Sequence, residues 1–127
     1  MVDDAVVNNL TLGKRGEEIA VSYLKGQKFT IVERNFRCKC GEVDIIARDG
    51  RTFVFLEVKT RRTLSFGPPQ LAVTPFKQRQ ISKAALTWLS KKRLLDANAR
   101  FDVIAILLHT GAAHGIEHIQ NAFELAY

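Results

Sequence analysis

The stretch GEVDIIARDGRTFVFLEVKTRR, residues 41–62, holds two apolar runs, 43–47 and 53–58, that read as strands of a buried sheet. Asp44 interrupts the first run, Glu57 falls within the second, and Lys59 follows it. A charge buried without a partner is costly, so these positions need a reason. The dipeptide Asp49-Gly50 is favoured in two-residue hairpin turns because both positions tolerate positive φ. With Arg48 set opposite Arg51, position 44 falls opposite 55 and 42 opposite 57, and opposed residues share a face. One face then carries Val43, Ile45, Ala47, Val54, Leu56 and Val58, all apolar. The other carries Ile46, Phe53 and Phe55 near the turn, with Glu42, Asp44, Glu57 and Lys59 at its far end. The charges therefore converge, with Asp44 and Glu57 as diagonal neighbours about 7–8 Å apart.

Carboxylates gathered in this way repel one another unless something positive joins them. Lys59 supplies one charge on the same face, and a divalent cation would supply more. Hard oxygen ligands with no adjacent cysteine or histidine suit Mg²⁺ or Mn²⁺. Such an ion activates a bound water and stabilises charge on a phosphoryl oxygen, while Lys59 would orient that water or neutralise the developing charge. The competing reading is an amphipathic hairpin with a solvated charged end. Glu17 adds a further acid: at helical spacing it lies beside Ala20, Val21 and Leu24, whereas Glu18 points away towards Lys14 and Lys25.

Working outward, residues 11–27 have helical periodicity, with Leu12, Ile19, Ala20, Tyr23 and Leu24 on one side and Gly26 as the stop. Residues 29–36 alternate as a first strand, and RCKCG connects it to the second. After the hairpin, LSFGPPQLAV is an irregular connection broken by Pro-Pro. Thr74-Pro75 reads as an N-cap with proline at N1, opening a helix to about residue 95 with Ile81, Ala84, Ala85, Trp88 and Leu89 on its core side. RFDVIAILL is apolar on both faces, as in a central strand, and GIEHIQNAF is a short edge strand leading into a frayed tail. The expected fold is α/β: an α-β-β-β-α-β core with a late strand, forming a mixed central sheet flanked by helices. Residues 1–10 are expected as a loose tail and 11–127 as a single domain. Asp102 and Trp88 read as structural; Phe66, in its Gly/Pro loop, suits packing or base stacking.

A chain of 127 residues with 46% hydrophobic and 25% charged residues is an ordinary globular composition, long enough to bury about two-thirds of its unfolded surface. No apolar run approaches the roughly 20 residues that span a bilayer. The start, MVDDAVVNNLTL, lacks the basic opening of a signal peptide; a cytoplasmic, membrane-free protein is expected. Cys38 and Cys40 are spaced poorly for a mutual disulfide and fall short of a four-ligand zinc framework. His109, His114 and His118 could add zinc ligands, but free reduced thiols are the expectation. Residues 51–93 hold ten Lys or Arg and one acid, while the remainder holds nine basic and twelve acidic residues. That segregation suits a polyanionic partner.

The α-β-β-β-α-β order with D…E-x-K on a hairpin resembles the PD-(D/E)XK nuclease superfamily, which includes restriction endonucleases and Holliday-junction resolvases. GKRGEEIAVSYL, ERNFRCKCGEVDIIARDG, FVFLEVKTRR, VTPFKQ, RFDVIAI and HIQNAF, in that order over about residues 11–124, resemble the YraN-like family of uncharacterised bacterial proteins. The resemblance implies a restriction-endonuclease-like core, metal ligation by Asp44, Glu57 and the main-chain carbonyl of Val58, and a catalytic role for Lys59. It also places the helix acid of resolvase-like members on Glu17. Gln78 is the candidate for a glutamine that recurs on the helix after the third strand in resolvase-like branches. Val43 stands where the motif usually has proline. Arg61, Arg62, Lys77, Arg79 and Lys83 flank the site in sequence as candidate phosphate contacts. The implied activity is Mg²⁺- or Mn²⁺-dependent endonucleolytic hydrolysis of DNA, on branched or structured sites. The alternative is a nucleic-acid-binding module that keeps the nuclease fold with weak or no catalysis. Single-domain resolvases of this size act as dimers, so the resemblance also points to a homodimer.

Overall fold

The computed structural model describes residues 4–62, 73–108 and 114–126, with side chains for 12–62, 73–108 and 115–126. The elements are α1 (Asp4–Gly26), β1 (Thr30–Cys38), β2 (Gly41–Asp49), β3 (Thr52–Arg61), α2 (Pro75–Lys91), β4 (Ala99–Leu108) and β5 (His114–Phe123). The expected α-β-β-β-α-β order is present, with a fifth strand added. All five strands form one sheet in sequential order, and only the β3–β4 pair is parallel. Parallel neighbours need a crossover, and α2 lies within it. No helix among the described residues is long and apolar enough to cross a membrane.

Each face of the sheet has its own core. Ala20, Val21 and Leu24 of α1 pack on Ile45, Ala47, Val54, Leu56, Ile104 and Ile106. Ile81, Ala84, Ala85, Trp88 and Leu89 of α2 pack on Ile46, Phe55, Phe101 and Val103. β4 contributes to both cores, as its two apolar faces require. The expected α2 face is thus the observed one, and Thr74 Oγ1 accepts the Lys77 N–H at 3.2 Å as its N-cap.

Several boundaries differ from the sequence reading. The β2–β3 turn is Gly50-Arg51, since Asp49 pairs with Thr52 and Ile45 with Leu56. Gly50 alone carries the positive φ, 61°, which suits glycine at the first central position of a II′ turn. The register therefore moves by two in its sum, which preserves the faces over the paired residues; carried one step beyond the last pair, Ile45↔Leu56, it sets Asp44 towards Glu57 rather than diagonal to it. Val43 is the exception to the face assignment and joins the α2-side core. Asn35, at φ 54°, lies between the pairs Arg34↔Ile45 and Phe36↔Val43 and marks the local distortion.

The helix ends account for the rest. α1 takes in residues 4–10, expected as a loose tail; nothing between Asp4 and Leu12 breaks a helix by being Pro or Gly. It ends at Gly26, as expected, but the left-handed residue that closes it is Lys28 (φ 69°), with Phe29 N–H bonded to Leu24 O at 2.9 Å and Lys28 N–H to Lys25 O at 3.0 Å. α2 stops before the expected residue 95 by the same Schellman pattern: Arg93 has φ 58°, and Leu94 N–H bonds Leu89 O at 2.8 Å. Phe66 and His109 lie outside the described residues, as does the side chain of His114.

Candidate functional site

The β2–β3 ladder runs as far as Ile45↔Leu56. One residue further, Asp44 Oδ2 accepts the Val58 N–H at 2.8 Å in place of a ladder bond. An antiparallel residue presents its N–H and C=O to the same neighbour, so the Val58 carbonyl faces the same gap. Glu57, 5% exposed, lies across from Asp44 and within hydrogen-bonding range of it. Burial first, and then the Glu57 charge, push the Asp44 carboxyl up to about 7 against the pull of the Val58 N–H. The pair is held together with too little compensating charge.

Lysines partly compensate on the Glu57 side. Glu57 Oε1 takes Lys77 Nζ at 3.1 Å and Lys59 Nζ at 3.4 Å. Burial works against the Lys77 ammonium, but Glu57 outweighs it and raises its pKa. Thr74 capping and Pro75 set the start of α2 so that Lys77, in its first turn, reaches the strand acid.

Clefts open on both sides of the pair. One, of ≈ 460 Å³, is lined by Arg37, Glu42, Asp44, Glu57, Lys77 and Gln80 among others. The second, of ≈ 540 Å³, is lined by Lys14, Glu17, Asn35, Asp44, Val58 and Thr60 among others. Asp44 is common to both, so it can be reached from either direction. Two glycines set the walls. A Cβ on Gly16 would meet Thr60 Oγ1, and one on Gly41 would come 2.5 Å from the Gln80 carbonyl oxygen. Gly16 thus lets α1 approach β3 and bring Glu17 to the sheet.

Glu17 and Glu18 divide as their helical positions require. Glu18, 64% exposed, pairs with Arg34 at 2.8 Å. Glu17 has a buried Oε1 with no hydrogen-bond partner. Burial raises the Glu17 pKa, Arg34 opposes this, and Glu42, Glu18 and Glu57 reinforce it. Among the described residues, no three His, Cys, Asp or Glu side chains gather closely enough to form a metal cage. Glu17 nevertheless lines the same cleft as Asp44, and its charge adds to the rise in the Asp44 pKa.

A family model described as "Uncharacterised protein family UPF0102" matches residues 16–106. The chain belongs to this family. It is 73% identical over 120 residues to a UPF0102 protein of Geotalea uraniireducens, covering 94% of each chain. It is 71% identical to one of Geotalea daltonii and 66% identical to one of Geobacter sulfurreducens, each over 120 residues and again 94% of each chain. The YraN-like resemblance of the sequence is thereby borne out.

In this UPF0102 chain the sequence-selected residues do not all meet. Asp44, Glu57, Val58, Lys59 and Lys77 come together, and Glu17 approaches from α1. Gln78 does not line either cleft; its Nε2 donates to the Val73 carbonyl at 3.0 Å, fixing the lead-in to α2. Gln80 occupies the cleft wall instead, and its i, i+3 spacing from Lys77 was the available signal. Arg79 and Lys83 are exposed on α2, Arg62 is exposed after β3, and Arg61 ends that strand half-buried. Arg37 was missed as well: it pairs with Glu42 both in register and through a 3.4 Å ion pair. A two-residue turn within RCKCG would have placed it there.

Proposed function

We propose that this protein is a metal-dependent endonuclease that hydrolyses DNA phosphodiester bonds, with Asp44 and Glu57 at its centre. One observation carries the reading: two neighbouring carboxylates, whose burial and mutual repulsion push Asp44 up to about 7, at a place open to two clefts. The donor set suits Mg²⁺ or Mn²⁺, which take one or two carboxylates and retain waters. Asp44, Glu57 and the Val58 carbonyl would hold the ion, and the unpartnered Glu17 oxygen would accept from one of its waters. Once bound, such an ion lowers the pKa of a water and offsets charge on a phosphoryl oxygen.

The remaining work falls to the chain itself. Lys59 fixes the Glu57 carboxylate and offers its other N–H donors to a phosphate oxygen. Lys77, at the cleft edge, can leave Glu57 for the backbone of an incoming strand. Arg62, Arg79 and Lys83 present the exposed charge for phosphates beyond the scissile one. The superfamily resemblance of the sequence supports the same assignment, with branched or structured DNA as the substrate class.

A second reading has one observation of its own. Lys59 and Lys77 already neutralise Glu57 without a metal, as would suit a nucleic-acid-binding module that no longer cuts. Supercoiled plasmid and branched duplexes incubated with Mg²⁺ or Mn²⁺ separate the two. Nicking by the wild type, lost in Glu57→Ala while salt-sensitive DNA binding persists, is the expected result. Salt-sensitive binding with no turnover on linear, branched or single-stranded DNA in either metal would overturn the nuclease reading and leave the binding module.

A further inference from the structure

The β1–β2 turn consists of Lys39 and Cys40, closed by the pair Cys38↔Gly41. Sequence spacing argued against a bond between the two cysteines, yet their sulfurs lie 2.9 Å apart as free thiols. That is less than 1 Å beyond a disulfide bond of about 2.05 Å. Both cysteines are half-buried and both line the cleft that contains Asp44 and Glu57. We propose that Cys38 and Cys40 form a reversible disulfide by exchange with a low-molecular-weight disulfide, making this turn a redox modification site in the cleft wall.

The local chemistry favours Cys38 as the attacking group. Burial alone would push its thiol up, but hydrogen bonds from Cys40 and Gly41, with Thr87 nearby, hold it below the ordinary range. Cys40 Sγ lies 3.6 Å from Thr87 Oγ1, whose proton is committed to the Lys83 carbonyl at 2.8 Å. The Cys38 thiolate attacks one sulfur of the oxidant RSSR, forms a mixed disulfide and releases RS⁻. Cys40 gives its proton to solvent and attacks Cys38 Sγ, closing the internal bond and releasing the second RS⁻. The protein loses two electrons and two protons, and the oxidant gains the two electrons.

A ring this small removes little entropy from the unfolded chain, so its role is switching rather than stapling. The turn is also wedged against α2, where Gly41 leaves no room beside the Gln80 carbonyl. Drawing the sulfurs together therefore shifts the wall that carries Arg37, Glu42 and Gln80. In a reducing compartment such a bond is transient.

The test uses the full chain in glutathione buffers of rising oxidised fraction, acid-quenched, alkylated and weighed intact. With only two cysteines in the chain, the mass is unambiguous. The wild type is expected to pass from two alkylated thiols to none, lighter by two hydrogens and free of glutathione. Cys38→Ser and Cys40→Ser, each lacking a resolving thiol, should accumulate the glutathione adduct. A wild type that keeps both thiols, holds a stable adduct, or links chain to chain at the ratio where the single variants are modified would overturn the proposal. The readout is independent of any DNA cleavage, so its failure and that of the nuclease reading are distinguishable.

Discussion

Asp44→Asn raises the stability of the protein above pH 7 while removing the metal-dependent cleavage proposed for it. The native Asp44 carboxyl keeps its proton up to about 7, against an ordinary 3.8. Across that window the folded state binds more protons than the unfolded one, so wild-type stability falls as pH rises. Above it, the ionised carboxylate costs on the order of 3 kcal/mol. Asparagine removes that cost. Its oxygen can still accept the Val58 N–H, and its amide can donate to Glu57. The variant should melt roughly 10 °C higher at pH 8, with the difference shrinking through pH 5 and vanishing below about pH 4 as Asp44 protonates in both states. Cleavage should drop by roughly 10³-fold, because the lost ligand removes several kcal/mol of transition-state stabilisation. Thermal melts across pH, with nicking assays on the same samples, check both halves. A less stable variant at pH 8 would contradict the electrostatic account of the pair.

Asp102→Ala should do the reverse and unfold the protein without touching the site. Asp102 is 1% exposed and is enclosed by donors. Arg100 Nε donates to Oδ1 at 3.0 Å, His118 Nε2 to Oδ2 at 2.8 Å, and the Asn121 N–H to Oδ1 at 2.9 Å. With the His118 proton on Nε2, Nδ1 accepts the Tyr23 hydroxyl at 3.1 Å, which ties β4 and β5 to α1. Arg100 extends the chain of contacts to Asp49 at 3.1 Å. Burial works against the Asp102 carboxylate, but His118, Arg100 and the Asn121 N–H outweigh it and lower its pKa. Its contribution is therefore present above the ordinary aspartate range and lost on acidification. Alanine takes the shared carboxylate from Arg100 and His118, leaving Arg100 its contact with Asp49 and His118 its contact with Tyr23, at a cost of about 3–5 kcal/mol, or roughly 10–20 °C in Tm. Urea titration should show this loss at pH 7, while the folded fraction keeps the wild-type rate of the proposed cleavage. A change below about 1 kcal/mol would mean that water replaces the carboxylate.

The hairpin was legible because a two-residue turn fixes parity. Moving the turn from Asp49-Gly50 to Gly50-Arg51 shifted the pairing but left Asp44, Glu57 and Lys59 on one face. The same shift could not be read from composition, since it depends on which turn residue takes positive φ. Glu17 and Glu18 were separable from helical spacing alone, and their exposure follows it. Helix ends were less legible. Lys28 and Arg93 adopt the left-handed conformation that a reader looks for in glycine. Gln78 and Gln80 show a further limit: spacing places a side chain on a helix face, but the Val73 carbonyl that captures Gln78 is a tertiary partner. The cysteines are free thiols, as expected; the close approach of their sulfurs was not legible, because the β1–β2 turn, not their separation in sequence, sets that distance.

Crystals of the protein soaked in Mn²⁺ at pH 8, with diffraction measured at the manganese absorption edge, give the most direct test. The predicted result is one anomalous peak bonded to Asp44, Glu57 and the Val58 carbonyl, with Lys77 moved away from Glu57. A map with no peak at that place, and with Lys77 still paired to the strand acid, would contradict the claim that these residues are built to hold a dication.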